Sequence, residues 1–228
     1  DGIGYDFHFG ARVRVPKDGR GWRVEIMDAA SRVVVASRIV DADSDDRLVK
    51  SMTRYVLEYR IRVFVKEEGK FDVLVFEETM DLKGKLVVVQ LPIGAVGDTL
   101  AWVPGVVRFG ERFGCKVVCS LMLDMLPLFY GSYPDIEFLP EKGLIEPRGN
   151  AGVAVVDVAY AMFQVGVFYE DPGYSSSPHN FRYAGLHDIA CDILGVERGG
   201  LKPVLSLPDE YAGRPFEEKY VCIAVQAS

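Results

Sequence analysis

A change of hydrophobic period near residue 85 constrains this chain more than any other feature of its sequence. Before it, apolar and polar residues alternate in short runs: ARVRV (11–15), WRVEI (22–26), RVVVASRIV (32–40), LEYRIRVFV (57–65) and FDVLVFEETMDL (71–82). A period of two marks a strand with one buried face. In 57–65 it puts Leu57, Tyr59, Ile61, Val63 and Val65 on one side, with Arg60 and Arg62 on the other. Turn clusters such as KDGRG (17–21) and KEEGK (66–70) separate the runs. Residues 1–84 are therefore expected to form a small antiparallel β-sandwich or barrel. The acidic stretch DADSDD (41–46) lacks the glycine and closing glutamate of a calcium loop and reads as a solvated connection.

From residue 85 the alternation stops. LVVVQL (86–91), KVVCSL (116–121), IEFL (136–139) and VCIAV (221–225) are unbroken apolar runs, as strands covered on both faces require. Helical patterns lie between them at 97–113, 122–130 and 181–194, and the two ends of 151–168 read as further strands. Strands alternating with helices predict a Rossmann-like α/β layer with a mostly parallel sheet over 85–228. The last strand pattern has no crossover helix after it, so the fold is expected to continue beyond Ser228 or on a second polypeptide.

Composition narrows the function. A net charge of −7 argues against a nucleic-acid partner, because phosphate binding needs clustered Lys and Arg. No apolar run approaches the roughly 18 residues of a membrane span, and the N-terminus has no signal-peptide layout. Of the four cysteines, Cys115 and Cys119 would lie about 13 Å apart on one strand face, too far for a disulfide. Cys191 and Cys222 complete no metal-ligand spacing with them. Buried thiols in a reducing, cytoplasmic compartment are the expectation.

The richest local element is LPIGAVGDTLAWVP (91–104). A buried strand runs into a glycine-bearing turn, Gly94 and Gly97, and then into a helix with Asp98 in its first turn. In open α/β sheets ligands sit beyond the carboxyl ends of the strands, where this turn falls. The helix N-terminus favours an ionised carboxylate, and such a group facing a cleft can take a proton from an attacking hydroxyl. A helix cap is the competing role for Asp98. The glycine order matches neither a dinucleotide fingerprint nor a P-loop. Thr99 and Trp102 are further candidates for substrate contact, against ordinary roles in the helix and the core. Pro104 predicts a kink or break, and Gly110 and Gly114 fit the helix end. Glu170, at the end of a strand pattern, and Arg182, after the polar loop DPGYSSSP, are reserve candidates. His187, Cys191 and Leu194 share one helical stripe, which predicts a half-buried histidine.

GDTLAWVP (97–104) resembles the G-D-x-L-x-x-x-P element of the lipopolysaccharide core heptosyltransferases. The segments YDFHFGARVRVP (5–16), WRVEIMDA (22–29), YRIRVFV (59–65), RFGCKVVCSL (112–121), VGVFYED (165–171), NFRYAGLHDIACDILGV (180–196) and YVCIAVQAS (220–228) are similar, in order, to the N-terminal portion of the bacterial autotransporter heptosyltransferases. The resemblance implies a β domain over 1–84 that assembles a homo-oligomer. It implies that 85–228 is the acceptor-side lobe of a GT-B glycosyltransferase, with the nucleotide-sugar lobe after Ser228. It implies inverting transfer of heptose from ADP-heptose to serine hydroxyls of an autotransporter adhesin, with Asp98 as base; Gly94, Gly97, Thr99, Trp102, Glu170 and Arg182 are candidates for substrate contact from the residues alone. It puts the family's iron site in the second lobe, leaving no metal or cofactor for this chain. A non-catalytic adaptor and a GT-B enzyme using another sugar donor remain alternative readings.

Overall fold

The computed structural model describes residues 2–92, 95–147, 152–167, 183–200 and 202–206. Seven strands precede residue 85: β1 (Gly4–His8), β2 (Arg12–Arg14), β3 (Trp22–Asp28), β4 (Val34–Val40), β5 (Leu48–Lys50), β6 (Tyr59–Glu67) and β7 (Lys70–Thr79). Beyond it come β8 (Leu86–Gln90), α1 (Val96–Phe113), β9 (Lys116–Leu121), a 3₁₀ segment (Leu123–Leu128), β10 (Ile136–Pro140), α2 (Glu141–Ile145), α3 (Val155–Val158), β11 (Ala161–Gln164) and α4 (Leu186–Leu194).

These strands form two sheets, one mostly parallel and one antiparallel. The order β4-β3-β6-β7 is antiparallel throughout. Its inward face is the one that the alternation in 57–65 predicts: Tyr59, Ile61 and Val63 are fully buried, and Arg60 is exposed. Outside, Arg62 lies 3.6 Å from Glu25 and 4.0 Å from Glu77, a cross-strand charge ladder worth little because solvent screens it. The β6–β7 hairpin turns on Glu68 and Gly69, both at positive φ (47° and 83°), as a two-residue turn matching the strand twist demands.

The second sheet has the order β10-β9-β8-β11-β1-β2-β5. Its first five strands are parallel, and β2 and β5 extend it antiparallel. Here the structure departs from the sequence expectation for 1–84. Strand β1 joins the parallel sheet, with Phe7 beside Ala161 and His8 beside Met162. Phe7 is fully buried, its ring 6.4 Å from Tyr59 and 5.4 Å from Tyr160, so aromatic packing ties the two sheets together. One apolar core runs from Trp22, Ile26 and Ile61 to Val87, Val89 and Phe163, so neither the sheet hydrogen bonding nor the core breaks at residue 84. After β1 the chain turns at Gly10 (φ 101°), where a Cβ would come within 2.3 Å of Ser51 Oγ.

Helix α1 covers one face of this sheet through Trp102, Val103, Val106 and Phe109, each at most 1% exposed and each worth roughly 1.5–3 kcal/mol of burial. It does not break at Pro104. The proline leaves the Leu100 carbonyl without its usual donor, but it is buried, and packing carries the helix through to Gly114, which ends it at φ 59°. Gly105 lets α4 come close: a Cβ there would sit 3.3 Å from Ala190 Cβ. The opposite face holds a smaller cluster of Val88, Val118, Leu139, Leu144, Val155 and Met162.

Two further expectations are corrected. The first end of 151–168 forms the short helix α3, and only its later part is a strand. The pattern at 122–130 is a 3₁₀ segment, with Pro127 inside it. The strand expected at 221–225 lies outside the described residues.

Candidate functional site

Five parallel strands aim their carboxyl ends at one edge of the sheet, where open α/β sheets bind ligands. The apolar runs change character at that edge. Strands β8 and β11 close on Gln90 and Gln164, and Ser120 sits next to last in β9. Strand pairing sets Gln164 beside Gln90, and Gln90 beside Ser120, so the three form one polar row. They continue the face carrying Met162, Val88 and Val118, which pair two residues earlier. Arg54, from the β5–β6 connection, donates from Nη1 to the Gln164 side-chain oxygen. Sequence reading missed this row. Its signal, a polar residue closing an apolar run, was visible, but the register that aligns the three was not.

Asp98 stands just beyond the end of β8, in the first turn of α1. The backbone N–H of Ala95 donates to Asp98 Oδ2 at 2.8 Å. Ala95 is the N-cap residue in extended conformation (φ −65°, ψ 170°), and its methyl side chain cannot return the hydrogen bond. The carboxylate therefore supplies the one side-chain contact of the cap. Oδ1 has no hydrogen bond among the described residues, and the residue is half-buried. The cap thus uses one oxygen of the carboxylate and leaves the other without a hydrogen bond among the described residues.

The other sequence candidates fall elsewhere. Gly97 is helical and exposed, and a Cβ there would meet nothing within 4 Å. It makes no turn that only glycine allows; it leaves open space beside Asp98. Thr99 is 2% exposed and directs its hydroxyl back to the Ala95 carbonyl at 3.4 Å. Trp102 is 1% exposed and packs in the core, so its ring has no face open to a sugar. Gly94, Glu170 and Arg182 lie outside the described residues. His187 is half-buried, with Cys191 Sγ 3.9 Å from its Nδ1 on the shared stripe.

A cavity of about 530 Å³ opens at the carboxyl ends of β8, β9 and β10. Leu91 and Pro92, the residues that lead toward Asp98, form part of its wall, and Ser120 and Leu121 another part. A second hollow, beside Gly10, Arg54 and Gln164, holds only about 10 Å³, about one water.

Burial pushes the Cys115 thiol up to about 11 and the Cys119 thiol higher still, so neither is poised as a nucleophile. Cys115, Cys119 and Cys191 are unpaired thiols, and Cys222 lies outside the described residues. Among the described residues, no three His, Cys, Asp or Glu side chains group to hold a metal, and no helix is long and apolar enough to cross a membrane.

Residues 1–67 match the family model described as "Glycosyltransferase TibC, N-terminal domain". The whole chain is 34% identical to the autotransporter heptosyltransferase TibC of Escherichia coli O78:H11, covering 50% of that protein. It is 32% identical to the autotransporter heptosyltransferase Aah of Escherichia coli, covering 52%. It is also 28% identical over its full length to the inactive autotransporter heptosyltransferase BimC of Burkholderia thailandensis, covering 48%. The chain thus spans about half the length of the curated relatives it matches. Among solved structures it resembles dodecameric, iron-containing TibC in complex with ADP-D-β-D-heptose, with a TM-score of 0.77 and 32% identity over 99% of this chain and 53% of that one.

Proposed function

From its similarity to the autotransporter heptosyltransferases, we infer that the chain is the N-terminal portion of a member of that family and the acceptor-side part of a GT-B glycosyltransferase. The whole protein would move heptose from ADP-heptose to serine hydroxyls of an autotransporter adhesin. One observation carries the chemical part of this reading. Asp98 sits at the carboxyl edge of a parallel sheet with one oxygen anchored to Ala95 N–H and the other without a hydrogen bond among the described residues.

The reaction that fits is an inverting displacement. The serine Oγ forms a bond to the sugar C1 on one face, and the C1–O bond to the diphosphate breaks on the other, so ADP leaves with the electron pair. The serine proton passes to Asp98 Oδ1. A carboxylate is a weak base toward a neutral hydroxyl, so this transfer comes late, once C–O bond formation has made the hydroxyl acidic. Stabilisation of the leaving diphosphate falls to donors in a second lobe, beyond this chain. The anchored Oδ2 fixes the carboxylate's orientation before substrate arrives.

The same kinship supplies the setting of the proposal. TibC is dodecameric, and the strands of residues 1–84 are our candidate for a corresponding homo-oligomeric contact. TibC contains iron, and we assign the ligands of any such site to the part of the protein outside this chain. A cytoplasmic, reducing location accords with the three unpaired thiols.

A non-catalytic binding module is the second reading. It is favoured by the similarity to inactive BimC and by the capping bond, which gives Asp98 a structural role with no chemistry. A different sugar donor is the third. One experiment separates them: the full-length protein is incubated with ADP-heptose and a serine-containing adhesin fragment, and the product is weighed and its anomeric configuration read by NMR. A gain of one heptose with inverted configuration supports the proposal. No mass gain supports the binding module, and transfer only from another nucleotide sugar supports the third reading.

A further inference from the structure

We propose that a small inorganic anion of halide size binds between the Arg47 guanidinium and the Trp22 indole N–H, at one closed end of the space between the two sheets. The proposal concerns residues 1–84 and does not rest on the enzymatic reading above.

Strand register brings the two side chains to one end. Trp22 stands beside Val40 on one side and Val65 on the other. The Val15 N–H donates to the Arg47 carbonyl at 3.2 Å, which carries the β2–β5 pairing one step past Arg14 and Leu48. Short loops, 16–21 and 41–46, link Val15 to Trp22 and Val40 to Arg47, so all five residues lie at the same end. Arg47 precedes buried Val49 by two positions and shares its inward face. All five are buried: Trp22 is 2% exposed and Arg47 4%.

Two of these five side chains are polar, and both offer only donors. Arg47 Nη2 donates to the Ala42 carbonyl at 2.8 Å. Arg47 Nε and Nη1 and Trp22 Nε1 are buried with no hydrogen-bond partner among the described residues. Buried polar groups are otherwise nearly always paired. These donors call for an acceptor. Arg47 stays ionised and forms no ion pair among the described residues, so it calls for an acceptor of negative charge. Water would satisfy the donors but leave the buried charge uncompensated.

The covering loops hold their own carboxylates elsewhere. Asp18 lies near the Trp22 N–H, but it accepts from the Arg20 N–H at 3.1 Å and from the Arg20 guanidinium at 2.9 and 2.6 Å. Asp45 feels the Arg47 charge, but it is exposed and accepts from Lys17 Nζ at 2.5 Å. The Arg20 guanidinium sits 4.6 Å from the centre of the Trp22 ring, which adds positive potential on the outer side of the indole. Because the three donor atoms are fully buried, the place suits a small dehydrated ion and not a phosphate ester or a peptide.

The test uses the full-length protein at fixed pH and ionic strength, with bulky gluconate replaced stepwise by chloride or bromide. The thermal midpoint should rise by about 2–4 °C and then saturate, as binding to the folded state alone requires. Arg47→Met should lose that saturating rise. Crystals grown in bromide should show an anomalous scattering peak between the Arg47 guanidinium and Trp22 Nε1, a measurement that does not depend on the variant folding. A midpoint indifferent to halide, a rise that persists in Arg47→Met, or a bromide crystal with only water or an inward-turned Asp18 or Asp45 carboxylate at that place overturns the proposal.

Discussion

The backbone N–H of Ala95 donates to Asp98 Oδ2 at 2.8 Å, so the residue proposed as the base also closes the first turn of its own helix. Replacing it with alanine removes both roles. Asp98→Ala should lower unfolding stability by about 1 kcal/mol, the usual cost of losing a helix N-terminal cap. Urea denaturation followed by circular dichroism reads this directly.

Gly105 sets the distance between α1 and α4. A Cβ at this position would already be 3.3 Å from Ala190 Cβ and 3.8 Å from the Ala190 backbone carbon, so a larger side chain must push the helices apart. Gly105→Leu should cost about 1–3 kcal/mol through overpacking, despite leucine's better helix propensity. Gly97→Ala should be neutral or slightly stabilising, because open space surrounds that Cβ. Thermal denaturation of the two variants side by side separates the effects.

The β6–β7 hairpin places Glu68 at φ 47°, which suits asparagine or glycine better than glutamate. Glu68→Asn should raise stability by about 0.5–1 kcal/mol without touching any core contact. An unchanged denaturation midpoint would mean that the turn relaxes at little cost.

Asp28 ties the turn after β3 to the start of β6. Its carboxylate accepts from the Ser31 hydroxyl at 2.5 Å, the Ser31 N–H at 3.1 Å and the Glu58 N–H at 3.2 Å. Burial alone would raise its pKa, but these hydrogen bonds outweigh burial and hold it below the ordinary carboxylate value. A depressed folded-state pKa gives stability that is present above the unfolded value of about 3.9 and lost as pH falls through the folded value. Asp28→Asn should therefore be less stable than the parent at pH 7, and the gap should close below about pH 4. Urea midpoints measured from pH 3 to pH 7 test the sign.

Much of this arrangement was legible from residue order. Alternation in 57–65 identified the buried face of β6, and the apolar runs located β8, β9 and β10. The Gly-Asp element located the start of α1. What the sequence hid was non-local. Strand β1 reads as a short polar run until it meets β11, more than 150 residues later, and Phe7 finds its aromatic neighbours. The row of Gln164, Gln90 and Ser120 exists only in the register of three strands. Arg54 reaches that edge from a connection 110 residues before Gln164. Pro104 misled because its local effect on a helix is strong, and only burial against the core overrides it. Thr99 and Trp102 share the helix with Asp98, and Trp102 even lies one turn along the same face, but both are buried in packing that residue order does not show.

The measurement that most directly tests the account is heptose transfer by the full-length Asp98→Asn protein, with stability measured on the same sample. Asparagine keeps an oxygen for the Ala95 N–H but cannot take the serine proton. The account predicts a fold of nearly unchanged stability and a turnover reduced by about 10²–10⁴-fold. Turnover within a few-fold of the parent, in a protein equally stable, would contradict it and leave Asp98 as a helix cap alone.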